Sequence, residues 1–191
     1  KENLEYFRSL YRNDTEDVVE VLSMVDLEDA ANTRVAEFSK GMKNRLNFAR
    51  SMIHKPKLWF LDEPTAGLDP INARRIKEIV KRRQQEGTTT FLTTHDMAAA
   101  DELCDRLAFI AEGRLEVVDT PLALKRQYGT RSVRVEMESE GEPRIREFSM
   151  DGLGTNQEFL RFIRHGRLES IHSQETTLES VFIQVTGAAL S

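Results

Sequence analysis

The chain has 191 residues, 39% hydrophobic and 31% charged, a globular composition whose length suits one domain or two small ones. Its net charge of -5 argues against nucleic-acid binding, whose modules carry a basic face, and the single cysteine excludes an internal disulfide. No apolar stretch nears the roughly 20 residues of a bilayer span and none reads as a signal peptide, so the expectation is a soluble, cytoplasmic protein.

The chain opens at Lys1 inside a polar, helix-like pattern without an initiator Met, which predicts a fragment of something longer. "ENLEYFRSLY" places Leu4, Phe7, Leu10 and Tyr11 at helical spacing. "NDTEDVVEVLSMVDL" predicts a helix capped by Asp14 or Thr15, with Val18, Val21, Leu22 and Val25 on one side. After a polar linker, Ser39 caps a third helix whose buried stripe is Met42, Leu46, Ala49 and Ile53. Residues 1–54 thus read as a helical unit. From Lys57 the pattern changes. "LWFL" is a fully apolar run of the kind buried on both faces of a parallel sheet. A helix follows with Asp69 as cap, Pro70 in its first position, Ile76, Ile79 and Val80 inside, and Gly87 past its end. Then come a strand "TTTFLTT", a helix capped by Asp96, two strands joined around Glu112-Gly113, and a capped helix "TPLALKRQYG". Strand and helix alternating in this way imply an α/β layered core over residues 55–129.

Residues 130–191 read as a separate small α/β unit. Val133, Val135 and Met137 alternate as in a half-buried strand, "PRIREFSM" and "LESIHSQ" are further strands, and "NQEFLRFIRHG" is a helix ended by Gly166. "EMESEGEP" reads as a solvated turn. A last helix carries Leu178, Val181, Phe182 and Val185 on one face, with Thr176 and Glu179 placed as a capping box.

Ligands of open α/β sheets bind at the carboxyl ends of the strands, so "KLWFLDEPT" delivers Asp62 and Glu63 to such a place. Side chains alternate along a strand, which lets the two carboxylates take different tasks. One can hold hydrated Mg²⁺, and the other can orient or deprotonate a water. "DEP" equally fits a charged loop after a core strand. "FSKGM" opens a helix, and its unpaired N–H groups, the Ser39 hydroxyl and Lys40 form an anion site or simply a cap. "TTHD" ends a strand in Thr94 and His95, where a lone histidine is commonly structural.

Together and in this order, the three stretches resemble the ATP-binding-cassette ATPases over residues 1–128. "KLWFLDEPTAGLDP" resembles that family's Walker B segment and D-loop, "FSKGMKNRLNFAR" its signature motif and "TTHD" its switch histidine. The resemblance implies a partial P-loop NTPase (RecA-like) core, with a helical subdomain before it and a small α/β domain after it. Asp62 would bind Mg²⁺ through water, Glu63 would be the general base or the water-orienting carboxylate, and His95 would contact and sense the γ-phosphate. Ser39, Lys40 and Gly41 would meet the γ-phosphate of ATP held by a partner subunit, and Asp69 would work across that dimer interface. Arg45, on the signature helix, would be structural.

Where the family commonly has Leu-Ser-Gly-Gly-Gln, this chain has Phe38-Ser39-Lys40-Gly41-Met42, and Met42 lacks the amide of Gln. No G-x-x-x-x-G-K-[ST] phosphate loop occurs, which predicts that the chain alone does not hydrolyse ATP. "TTLESVFIQVTG" resembles the ending of multidrug, antibiotic or polysaccharide exporter subunits. The implied protein is the ATP-hydrolysing subunit of an exporter. It would pair with a second ATP-binding subunit and an integral-membrane subunit at the cytoplasmic face, with no nucleic-acid partner. The alternatives are a soluble cassette ATPase of DNA-repair or translation type, and a non-catalytic interaction module.

Overall fold

A computed structural model describes residues 1–12, 14–129, 131–139, 142–164, 167–174 and 176–187. The chain divides into two compact units, Lys1–Ala99 and Ala100–Ser191.

In the first unit, helices α1 (Glu2–Ser9), α2 (Val18–Met24) and α3 (Lys40–Met52) precede strand β1 (Leu58–Asp62), helix α4 (Pro70–Gln85) and strand β2 (Thr89–Thr93). Helix α5 (Met97–Leu103) spans the division between the units. β1 and β2 pair in parallel, in a register that sets Phe60 beside Phe91 and Asp62 beside Thr93. Leu4, Val18, Val21, Leu22, Val25, Leu46, Trp59, Leu61, Ile76, Ile79 and Val80 are all buried. Asp69 and Asp96 cap α4 and α5, as their positions predict.

Several local expectations change. α2 is capped by Asp17, whose carboxylate accepts from the Val19 and Glu20 amides. Asp14 is drawn instead to Lys55, 2.6 Å away. α1 stops at Ser9, leaving Leu10 and Tyr11 exposed, and Tyr11 lies flat on the His54 ring with centroids 4.5 Å apart. On α3, Met42 is only half-buried, while Phe48 and Met52 join the core. The "LWFL" run is covered on one face only: Trp59 and Leu61 are buried, whereas Leu58 is 52% and Phe60 67% exposed. With Phe91 61% exposed, these residues form a bare apolar face on the two-stranded sheet.

In the second unit, β3 (Leu107–Ala111) and β4 (Arg114–Asp119) form an antiparallel hairpin, followed by α6 (Pro121–Tyr128). Glu112 and Gly113 both take positive φ (50° and 75°), the turn that matches strand twist in a two-residue hairpin loop. Next come β5 (Ser132–Ser139), β6 (Glu142–Ser149), α7 (Gln157–Arg164), β7 (Arg167–Gln174) and α8 (Leu178–Thr186). The sheet order is β6-β5-β7, wholly antiparallel. Val135, Met137 and Phe148 form its core, with Leu153, Phe159, Phe162 and Ile163 packed on them. Most of "EMESEGEP" belongs to β5 and β6 rather than to a turn. Gly166 lies outside the described residues. α8 is capped by Thr177, which accepts from the Ser180 amide, one residue after the Thr176 that the sequence pattern selects. Phe182 of α8 meets Phe109 of β3 edge-on at 5.3 Å.

Candidate functional site

The carboxyl ends of β1 and β2 lie side by side, and the parallel register decides what meets there. Asp62 stands opposite Thr93, whose hydroxyl donates to Asp62 Oδ1. One residue later the ladder ends: the Glu63 amide still donates to Thr93 O at 3.0 Å, but Glu63 itself has φ 45°. A bulky residue in the left-handed region is uncommon, and such strain gathers at functional sites. Here Glu63 is held by what its carboxylate reaches. Oε1 accepts from the His95 backbone amide at 2.9 Å and lies 2.8 Å from His95 Nδ1, while Oε2 accepts from the Thr94 hydroxyl at 3.3 Å. Adjacent carboxylates therefore have separate partners, Asp62 on the ladder and Glu63 beyond it.

His95 is 82% and Glu63 33% exposed at the side chain, so both face a solvent-accessible region. The hydrogen bond that Glu63 accepts, then the charge of that carboxylate, raises the His95 pKa, with a further contribution from Asp96. The carboxylate also fixes the tautomer. With Nδ1–H directed at Glu63, Nε2 is the nitrogen turned to any ligand.

After Glu63 the chain turns back. Ala66 N–H donates to Glu63 O at 3.0 Å, Gly67 takes φ 70°, and Asp69 opens α4. Asp69 Oδ1 accepts from the Ile71 and Asn72 amides at 3.1 Å each, and Oδ2 accepts from the Asn72 side chain at 2.5 Å. These bonds, the Asn72 side chain's first, lower the Asp69 pKa. At the start of α3, the Ser39 hydroxyl accepts from Met42 N–H at 3.2 Å and keeps its own proton to donate. Lys40 and Gly41 already belong to the helix, so Gly41 needs no special backbone freedom.

The structure thus brings Asp62, Glu63 and His95 together. Lys40 and Gly41, directly after Ser39, neighbour the Ala66–Leu68 turn instead: Asn44 donates to Ala66 O at 3.1 Å, a Cβ on Gly67 would lie 3.8 Å from the Lys40 chain, and one on Gly41 would lie 3.9 Å from Leu68. Among the described residues, no hydrogen bond or ion pair joins that helix start to Glu63 or His95. The motifs do not single out Thr93 and Asn44. Thr93 needs the strand register, and Asn44 meets a backbone oxygen that carries no sequence signal.

The family of ABC transporters, as a sequence family, matches residues 1–66, and the fluoroquinolone efflux ABC transporter C-terminal domain matches residues 131–175. The chain is similar to a fluoroquinolones export ATP-binding protein of Mycobacterium tuberculosis, 50% identical over 191 residues, covering 100% of this chain and 64% of that protein. A daunorubicin resistance ATP-binding protein of Streptomyces coeruleorubidus is 33% identical, over 98% of this chain and 67% of its own length. The chain belongs to the ATP-binding proteins of ABC transporters. A solved ATP-binding cassette, described as a dimeric post-hydrolysis state with ADP and Pi, superposes with a TM-score of 0.55 at 26% identity. That match covers 62% of this chain and 55% of the solved one. The chain thus spans about two thirds of the length of the Mycobacterium relative, 64%.

An ABC ATP-binding protein implies a nucleotide and Mg²⁺. Among the described residues, no group of three or more His, Cys, Asp or Glu could cage a metal. Mg²⁺ needs no such cage, since it keeps several waters and takes one or two carboxylates plus phosphate oxygens. Exposed at a strand end and oriented by Thr93, Asp62 fits that donor set. The nucleotide fits only in part: this sequence holds no phosphate loop to cradle its phosphates.

Proposed function

We propose that this chain forms the hydrolytic side of an ATP-binding subunit that powers an exporter. Residues 1–54 are its signature subdomain, 55–129 the second half of its ATPase core and 130–191 a C-terminal extension. The observation that carries the reading is the Glu63–His95 pair at the ends of two parallel strands, 2.8 Å apart beside Asp62.

Phosphoryl transfer is catalysed mainly by positioning and by charge stabilisation, so each residue has a limited task. Glu63, aimed by His95 and Thr94, orients a water and takes its proton. Asp62 holds the water shell of Mg²⁺, the ion that neutralises phosphate charge when bound. His95 presents Nε2 to the terminal phosphate and registers its loss. Ser39, Lys40 and Gly41 offer a hydroxyl, a cation and helix amides to a phosphate held by a second ATP-binding subunit, and Asp69 works across that interface. The whole assembly works on an integral-membrane subunit at the cytoplasmic face. Lacking a phosphate cradle, the chain alone does not hydrolyse ATP.

The test joins this chain to the parts of the Mycobacterium relative that lie outside the match. The joined protein should turn over MgATP, and Glu63→Gln should slow it roughly a hundred- to ten-thousand-fold while leaving nucleotide binding in place. Turnover indifferent to Glu63→Gln, or turnover by the unjoined chain, overturns the reading.

A further inference from the structure

Helix α2 ends in a Schellman turn: Asp26 N–H donates to Ser23 O at 3.1 Å and Leu27 N–H to Leu22 O at 2.9 Å. The residue at the left-handed position of that turn is usually glycine, but here Asp26 occupies it at φ 57°. What the aspartate adds is a carboxylate with two arginines on it. Oδ1 accepts from Arg75 of α4 at 2.8 Å, and Oδ2 accepts from Arg45 of α3 at 3.1 Å. Arg45 also donates to the backbone oxygens of Val25 and Asp26 at 2.9 and 2.7 Å. Its side chain is nearly buried, and its Nε is left without a partner. A lone anchor for α2 would need neither the strained backbone nor a second arginine.

The neighbour of Arg45 on α3 is Asn44, which holds Ala66 O. One turn of α3 therefore grips the same segment twice. Asn44 takes the turn that leaves Glu63, and Arg45, through Asp26 and Arg75, takes the helix into which that turn leads. Between the two grips lie Gly67, Asp69 and the first turn of α4. We propose that Asn44 and Asp26 are positioning residues. They make the start of α3, at Ser39, and the Ala66–Arg75 segment move as one body, so that a change at Ser39 is carried to Asp69. The functional meaning rests on the proposed role of Ser39 and Asp69, whereas the mechanical coupling does not.

The whole chain tests it, using amide NMR signals of Ile71 and Asn72, the two amides bonded to Asp69. Ser39→Ala removes the cap hydroxyl at the start of α3 and should shift both signals. In an Asn44→Ala or Asp26→Asn background the same change should move them less, and in the double background it should leave them unmoved, although each background chain is folded. Residues that served stability alone would lower the melting temperature yet leave the transmitted shift intact. Arg75→Gln cuts the same arm while sparing the Asp26 turn, and it replaces Asp26→Asn should that variant fail to fold. Signals that ignore Ser39→Ala, or respond equally in every background, overturn the proposal. Failure of MgATP turnover in the joined protein would sink the proposed function and leave these signals as they are.

Discussion

Ser51 offers a direct test of how the strand carrying Asp62 and Glu63 is held. Its hydroxyl sits on α3, donates to Phe48 O at 2.7 Å and accepts from the Trp59 indole N–H at 2.9 Å. Trp59 is 2% exposed and packs on Phe48 at 5.0 Å, so its N–H relies on the Ser51 hydroxyl. Ser51→Ala leaves that donor unsatisfied, a cost of about 1–3 kcal/mol. Alanine's better helix propensity returns about 0.5 kcal/mol. The net loss should be about 0.5–2.5 kcal/mol. With a urea dependence of about 1–3 kcal/mol per molar, the unfolding midpoint falls by roughly 0.2–2.5 M. Trp59 is the only tryptophan, so fluorescence follows β1 without interference. Repeated by circular dichroism in a Trp59→Phe background, where no N–H remains, the Ser51 change should cost almost nothing. An unchanged midpoint, or an equal loss in both backgrounds, would refute the argument.

Two further outcomes follow from local geometry. Because Glu63 raises the His95 pKa, His95 should titrate by NMR above the ordinary value of 6.5, and Glu63→Gln should bring it down. The sign is that of a raised group: the pair stabilises fully below the unfolded value and is lost as pH climbs through the folded one. His54, part-buried against Tyr11, is the internal contrast. Desolvation lowers its pKa, so it should titrate below 6.5; a reversed order of the two histidines would refute both assignments. Thr177→Ala should cost α8 about 1 kcal/mol through loss of its cap, read as a lower melting temperature, and an unchanged melt would return the cap to Thr176.

Much of the fold was legible because its determinants are local. Ser39, Asp69, Asp96 and Thr120 each cap a helix that starts immediately after them, and Glu112-Gly113 makes its hairpin turn from two residues. The errors arose where several local choices were equivalent. Asp14, Thr15 and Asp17 are all residue types that cap helices; the structure uses Asp17, while Asp14 lies 2.6 Å from Lys55, far along the chain. Thr176 and Thr177 pose the same problem at α8. An apolar run such as "LWFL" announces a strand but not how many layers cover it, and here one face is bare. In the site, Asp62, Glu63 and His95 were readable as strand ends. Thr93 was not, because its partner depends on register, and neither was the pairing of Asp26 with Arg45 and Arg75, which joins three helices.

The bare face and the carboxylate pair are one feature of β1. Alternation puts Leu58, Phe60 and Asp62 on the same side of the strand, and the register continues that side onto Phe91 and Thr93. Apolar residues this exposed contribute only part of what burial can supply, and full burial is worth about 1.5–3 kcal/mol for each large side chain. Whatever covers Phe60 and Phe91 must also lie beside Asp62. Covering the sheet and drying the neighbourhood of the carboxylate are therefore the same event, and removing water strengthens any charge interaction made there. Glu63 leaves that face: its left-handed backbone turns it off the ladder toward His95, and 33% of its side chain is exposed. The single strained residue after β1 thus separates Asp62, whose surroundings change when the apolar face is covered, from Glu63, whose orientation is already set by His95 and Thr94.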